Sequence, residues 1–233
     1  MKFLLLSICY LTLLLNTGLA SAGIIINEIM RDPAGVSDSR GEWFELYNTG
    51  FLSVDLAGWT IADLDGQQYQ ISQELIIGPQ GYLLLGRNSD ASLNGGLVLD
   101  YSYGGSITLA NGADELLIKN LAGEIIDSVV YSAALAFPAA PGRSMALLNP
   151  LLDNNLGANW VLTDNTPANG YHPMNFGTPG RENFPSVMAS VPAPSTAVLM
   201  IMGLAGLMGA ARLSGGIGVA GWRGTAVTPF ARD

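Results

Sequence analysis

The sequence predicts an all-β fold, a sandwich or barrel of short strands, across the middle of the chain. Three observations carry that prediction. Short runs rich in Ile, Val, Leu, Tyr, Phe and Trp recur between residues 24 and 162. Clusters of Gly, Pro, Asn and Asp separate them, and no stretch between the two apolar ends keeps a helical period of useful length. Strands of this length, at this spacing and bounded by turn formers, are the mark of paired sheets. No repeat period emerges, so a stacked array is not expected.

In chain order, Ile24-Ile25-Ile26 opens the first strand and Glu42 to Tyr47 forms the second. Trp59 to Ile61, Tyr69 to Ile71 and Tyr82 to Leu85 follow. Leu116 to Ile118, Ile125 to Tyr131, Ser144 to Leu148 and Trp160 to Leu162 complete the set. Turn signals lie between them at Asp65-Gly66, Gly78-Pro79-Gln80-Gly81, Asn111-Gly112 and Ala122-Gly123. Asp65-Gly66 is expected to close a tight hairpin, because both residues tolerate positive φ. Trp43, Trp59 and Trp160 fall inside strand patterns and are expected in the core.

The ends are of another kind. Residues 1–22 read MKFLLLSICYLTLLLNTGLASA. Lys2 supplies a positive start, Phe3 to Leu15 an apolar run, and Ala20 and Ala22 the small residues a signal peptidase accepts. The run is shorter than a spanning helix needs, so a removable signal helix is expected, with Gly23 first after cleavage. At the other end a Pro-rich linker, residues 185–196, leads into the uncharged run Ala197 to Ala211 and then Arg212. As a helix that run is about 22 Å long, short of a hydrocarbon core of about 30 Å unless flanking residues extend it. It is apolar all round, and Gly203, Gly206 and Gly209 give it a small-residue face suited to helix contacts in lipid. A transmembrane segment over 197–212 is therefore expected. A Gly-rich tail, 213–233, follows, with Arg223 and Arg232 placed for an inside C-terminus.

Val191, Pro192, Pro194, Ser195 and Thr196, followed by the Gly- and Leu-rich run and Arg212, resemble the PEP-CTERM sorting signal of Gram-negative bacteria. The resemblance implies an exosortase-like processing partner, an integral membrane cysteine peptidase, and delivery to the cell envelope or extracellular matrix. Ala193 stands where that family usually has Glu, and residues 213–233 run past its usual end. A retained anchor and an enzymatically removed tail both stay open.

A second resemblance covers about residues 24–183. Ile25-Ile26-Asn27-Glu28-Ile29-Met30, Asp32-Pro33 and Gly41 to Asn48 are similar to the opening of a lamin-tail domain. Asp55-Leu56, Gly58-Trp59, Ile61, Asp63, Ile77, Pro79 and Gly81-Tyr82 continue it. Gly142 to Met145, Asn159-Trp160 and Gly177-Thr178-Pro179-Gly180 with Asn183 resemble its close. The resemblance implies an immunoglobulin-like β-sandwich over 23–184. It further implies a binding or attachment module of secreted and surface proteins rather than a catalyst. Asn149 to Asn175 is longer and more loop-like than the core of that family.

Composition narrows the function classes. Charged residues make up 12% of the chain, with 19 Asp and Glu against ten Lys and Arg. Within residues 23–190 the balance is 18 to six. Such a surface repels phosphate backbones, so nucleic acid is not an expected partner. Cys9 is the only cysteine and lies in the signal segment; His172 is the only histidine. Neither a disulfide nor a Cys- or His-based transition-metal site is expected.

Carboxylates are the remaining chemistry. Glu28, Asp32, Glu42 and Glu45 crowd the first two strands. They are open to three readings: a Ca²⁺ site of Glu28, Asp32 and Glu42, a general acid–base pair, or acceptors for backbone N–H groups and for Arg31 or Arg143. Strand alternation puts Glu28 with Met30 and sends Glu42 and Glu45 to opposite faces. Asp63-x-Asp65-Gly66, Asp153-Asn154-Asn155 and Asp164-Asn165 lack the later ligands of a calcium loop. His172 has no serine elbow to serve. The sequence thus predicts a non-enzymatic, cofactor-free envelope module that sticks to exopolysaccharide or another envelope protein. A Ca²⁺-dependent or carbohydrate-binding module is the alternative, and a hydrolase the third reading.

Overall fold

The computed structural model describes residues 23–184. The expected signal segment with Ala20 and Ala22 lies outside the described residues. So do the sorting box of Val191, Pro192, Pro194, Ser195 and Thr196, the apolar run and the tail. Contacts divide the chain into Met1–Pro185 and Ser186–Asp233, and the described residues belong to the first unit. Among them no helix is long and apolar enough to cross a membrane.

The opening run forms β1 (Ile24–Met30), which pairs antiparallel with β2 (Trp43–Asn48). The pairing slips between Ile26 and Glu28, so Asn27 is an extra residue in β1. That bulge changes the parity of the strand. Ile24 and Ile26 before it and Ile29 after it all reach the main core, while Glu28 and Met30 turn to the outer face. A short helix, α1 (Asp38–Gly41), joins the two strands.

Short strands β3 (Val54–Asp55) and β6 (Ile76–Ile77) pair with each other. β4 (Thr60–Ala62) and β5 (Gln68–Gln70) make a hairpin, and β7 (Tyr82–Gly86) returns to β2. β8 (Tyr101–Ser102) runs parallel to β7. β9 (Asp114–Lys119) and β10 (Ile125–Tyr131) form a second hairpin. β11 (Met145–Leu147) pairs with β1 and with β12 (Trp160–Leu162). β13 (Gly170–His172) and β14 (Asn175–Phe176) close the set.

Two principal sheets result: β12-β11-β1-β2-β7-β8, and β10-β9-β4-β5. This all-β arrangement is consistent with an immunoglobulin-like fold. Ile26, Phe44, Leu46, Leu83, Leu85 and Met145 from the first sheet meet Ile61, Leu116, Ile118, Val129 and Tyr131 from the second. Trp160 is buried among them and Trp59 packs against them; Trp43 belongs to a smaller cluster on the outer face, with Met30, Leu84 and Leu97. Every residue of β2 is buried, so the first sheet is covered on both faces at that central strand.

One expectation is corrected, and one stretch that the sequence pattern left unplaced is located. The Asp65-Gly66 hairpin is a longer loop: β4 ends at Ala62, β5 starts at Gln68, and among its residues only Gly66 has positive φ. Asp63 closes it, accepting from the Gln67 amide through Oδ1 at 2.7 Å and donating its own amide to the Gln67 carbonyl. The stretch from Asn149 to Asn175 does have a place. It holds the β11–β12 loop, β12 and β13, and begins the segment that covers the first sheet. Gly142 permits that cover: its φ is 73°, and a Cβ there would overlap the Met174 carbonyl.

Candidate functional site

The covering segment, residues 163–183, is held by carboxylates. Glu28 is fully buried and its Oε1 accepts from Ser144 Oγ at 2.5 Å, the Thr178 amide at 2.8 Å and Thr163 Oγ1 at 3.3 Å. Its Oε2 lies 2.7 Å from Thr178 Oγ1. Glu45, directly opposite Glu28 in the β1–β2 register, accepts from Asn27 Nδ2 at 2.9 Å and from the Gly180 amide at 2.5 Å. Asn183 completes the lock. Its Nδ2 donates to the carbonyls of Asn27 and Leu147, both at 3.0 Å.

Proton counting favours one charge state for the pair. The two Asn183 donor contacts fix its Oδ1 toward Thr178 Oγ1, 3.0 Å away. Thr178 has one hydroxyl proton and two acceptor neighbours, Asn183 Oδ1 and Glu28 Oε2. Both contacts are satisfied when Glu28 carries a proton on Oε2, donates it to Thr178 Oγ1, and Thr178 donates onward to Asn183. Burial pushes the Glu28 carboxyl above its ordinary range. Glu45 is raised as well, by burial first and by the neighbouring Glu28 second. Two carboxylates this buried and this close do not both ionise.

Glu42 stands apart. It precedes β2, and strand parity turns it to the other side, where its Oε2 accepts from the Leu109 amide at 3.0 Å and pairs with Arg87 Nη1 at 3.2 Å. Burial pushes its pKa up to about 7 against those two donors. Asp32 lies in the loop after β1; its carboxyl is raised by burial and by Asp38. Glu28, Asp32 and Glu42 therefore do not converge as the Ca²⁺ reading needs, because the bulge and the strand alternation send them different ways. Among the described residues no group of three His, Cys, Asp or Glu side chains is placed to hold a metal. Nor do Glu28 and Glu42 face each other as an acid–base pair.

The acceptor reading has its partners corrected. The arginine on these carboxylates is Arg87, whereas Arg31 stacks 4.6 Å over the Tyr131 ring and Arg143 donates to the Thr163 and Leu162 carbonyls. Ser144 Oγ serves Glu28, and the contact of His172 Nδ1 is the Met174 amide at 3.4 Å.

A second device went unseen in the sequence. β11 covers only the far half of β1, leaving the Ile26 edge open. Asp127 Oδ2 accepts the Ile26 amide at 2.6 Å, and Asn154 Nδ2 donates to both Asp127 Oδ2, at 2.7 Å, and the Ile26 carbonyl, at 3.3 Å. Two side chains thus do for that residue what a strand would do. Burial pushes Asp127 up to about 6. Asp127→Ala, which strands the Ile26 amide, is expected to cost about 2 kcal/mol, and Asp127→Asn less than half as much. Urea denaturation compares the two.

An open cleft of about 490 Å³ lies beside β13 and β14. Tyr171, His172, Phe176, Pro167, Pro173 and Asn165 line it. Tyr171 is anchored from behind, its hydroxyl accepting from Trp43 Nε1 at 3.0 Å and its ring set edge-on to the indole. Ring faces with one amide beside them are a surface on which a sugar can stack. In sequence these residues sit in a stretch without strand alternation, so only the fold assembles them.

The lamin tail domain family model matches residues 18–133. The match takes in β1 to β10 and with them Glu28, Glu42, Glu45 and Asp127. It stops before the residues that cover Glu28: Ser144, Thr163, Thr178 and Asn183. No curated protein matches the chain significantly.

Proposed function

We propose that this lamin-tail β-sandwich is the non-catalytic body of an exported Gram-negative envelope protein, serving there as an attachment or matrix-structural module. One observation carries the non-catalytic part. The carboxylates with the most displaced protonation, Glu28 and Glu45, are sealed beneath residues 177–183 and spend their oxygens on that segment. A substrate has no route to them, and they work as a clasp. Export and retention rest on the sequence: a signal segment ending at Ala22, and a sorting box with an apolar run after it. In this reading the tail meets an exosortase-like partner or stays as the anchor. The expected result is that deleting residues 191–233 releases the domain from the membrane fraction into the medium. Unchanged fractionation would contradict retention by the tail.

The cleft beside β13 and β14 favours a second reading, a carbohydrate-binding module. Tyr171, His172 and Phe176 would supply the stacking faces and Asn165 a hydroxyl partner. Stacking on an aromatic contributes about 1 kcal/mol, so Phe176→Ala is expected to weaken oligosaccharide binding about fivefold in calorimetric titration. Equal affinities for the variant and the parent would remove the cleft from consideration.

A further inference from the structure

Residues 164–182 carry two acids, Asp164 and Glu182, one arginine, Arg181, and the histidine His172. The fold sets both basic side chains on the walls of one groove. The cleft of about 490 Å³ that holds Tyr171, His172 and Phe176 is continued by a hollow of about 220 Å³, lined by Asn169, Pro179 and Arg181. Gly170 and Tyr171 line both, and Gly170 has no side chain to part them. Ligand sites run to about 300–1,000 Å³, and a groove of this extent suits an oligomer lying across Tyr171.

The basic groups are held in place. A Cβ on Gly35 would overlap the His172 imidazole, so the backbone there lies against that ring. The Met174 amide meets Nδ1 at 3.4 Å, which leaves Nε2 to carry the proton of the neutral ring. Arg181 is exposed, and both of its hydrogen bonds leave from Nη2, to the Ala168 carbonyl at 2.6 Å and to Asn169 Oδ1 at 2.8 Å. One N–H on Nε and two on Nη1 remain. Asn169 donates in turn to Asp164 Oδ1, which also takes the amide and hydroxyl of Thr166. Among the described residues no carboxylate forms an ion pair with Arg181. The domain's other cations are placed differently. Arg87 pairs with Glu42, Arg31 stacks on Tyr131 and Arg143 serves two carbonyls, while Arg40 and Lys119 line neither hollow.

We propose that the groove takes a carboxylated glycan, a chain of uronate-type sugars, with one ring on the Tyr171 and Phe176 faces and a carboxylate on Arg181. The inference rests on the carbohydrate reading of the cleft and names its ligand class. A guanidinium with unclaimed N–H groups beside a ring face matches a sugar that carries its charge at the ring edge. The acidity of the whole domain does not oppose this. At physiological salt, charges are screened beyond about 8 Å, so the groups at the groove decide. A nucleic acid presents a phosphate at every step and needs several cations; one carboxylate needs one.

The test is calorimetric titration of the full chain in a polyoxyethylene detergent, whose head group carries no sugar. The probes are tetragalacturonate and its neutral counterpart, galactotetraose of the same linkage. At low salt the acid is expected to bind about tenfold tighter, the size of one charge-assisted hydrogen bond, and the ratio is expected to fall toward one in high salt. Arg181→Met is expected to bring the ratio close to one at low salt, and Arg181→Lys to keep part of it. Thermal melts show whether each variant is folded, and the salt series on the parent stands without them. Equal, salt-insensitive affinities for the two probes overturn the acidic class and leave the carbohydrate reading in place. Binding of neither probe overturns both. A preference that survives Arg181→Met in a folded chain overturns the assignment to Arg181.

Discussion

Glu28→Ala is expected to lower the unfolding free energy by about 3–5 kcal/mol, the cost of emptying a buried polar network of its central acceptor. Four polar contacts meet on this side chain: Ser144, Thr163 and the Thr178 amide donate to Oε1, and Thr178 Oγ1 lies against Oε2. Alanine leaves the Thr178 amide without a partner in a dry site, and it opens a cavity beneath Gly177. There the packing is so close that a Cβ on Gly177 would sit 2.9 Å from the Trp43 ring and 3.1 Å from Glu28 Oε1. A domain of this size is stable by about 5–15 kcal/mol in total, so the substitution puts the fold at risk. Glu28→Gln is the informative companion. Its amide can donate to Thr178 as the protonated acid does, so the loss is expected to stay below about 1.5 kcal/mol. Urea denaturation followed by tryptophan fluorescence distinguishes them. Equal losses would mean that Glu28 acts as a carboxylate and that the proton assignment is wrong.

Acidification is expected to strengthen the fold, against the usual behaviour of carboxylate-rich proteins. Burial raises Glu28 and Glu45, pushes Glu42 up to about 7 and Asp127 up to about 6. In the unfolded chain all four titrate near about 4. Between those values the folded state binds more protons than the unfolded one, so stability falls as pH rises. The contribution is fully present below pH about 4 and is lost as pH climbs through the raised folded values. Mutual repulsion in a chain of net charge −9 at pH 7 has the same sign. The thermal midpoint is expected to be on the order of 5–10 °C higher at pH 5 than at pH 8. Glu28→Gln should flatten the profile. A midpoint that falls on going to pH 5 would show that the buried carboxylates are ionised and satisfied as anions.

Much of the strand set was legible because strands of this type announce themselves locally. Ile125 to Tyr131 and Trp160 to Leu162 stand where the residues put them. β3, β6, β8 and β14 were not legible: two residues each, they exist only because a neighbour supplies the hydrogen bonds. The parity argument for Glu28, Met30, Glu42 and Glu45 was legible too. Its basis was incomplete, since Ile26 and Ile29 share a face only through the bulge at Asn27. The motif Gly177-Thr178-Pro179-Gly180 with Asn183 was visible as a pattern, and nothing local in it says that its target is a carboxylate pair on β1 and β2.

By itself the sequence determined the class of the molecule: short strands between turns, a body poor in cations, and apolar ends of another kind. Those are properties of neighbours along the chain, set by side-chain alternation, turn chemistry and charge. The tertiary structure alone decided which groups meet. Thr178 reaches Glu28 across 150 positions, Asn154 reaches Ile26 across 128, and Glu28 and Glu45 are buried under a segment whose sequence shows no strand alternation. The physical reason is that a buried carboxyl takes its charge state from the donors the fold brings to it, and no local pattern records them.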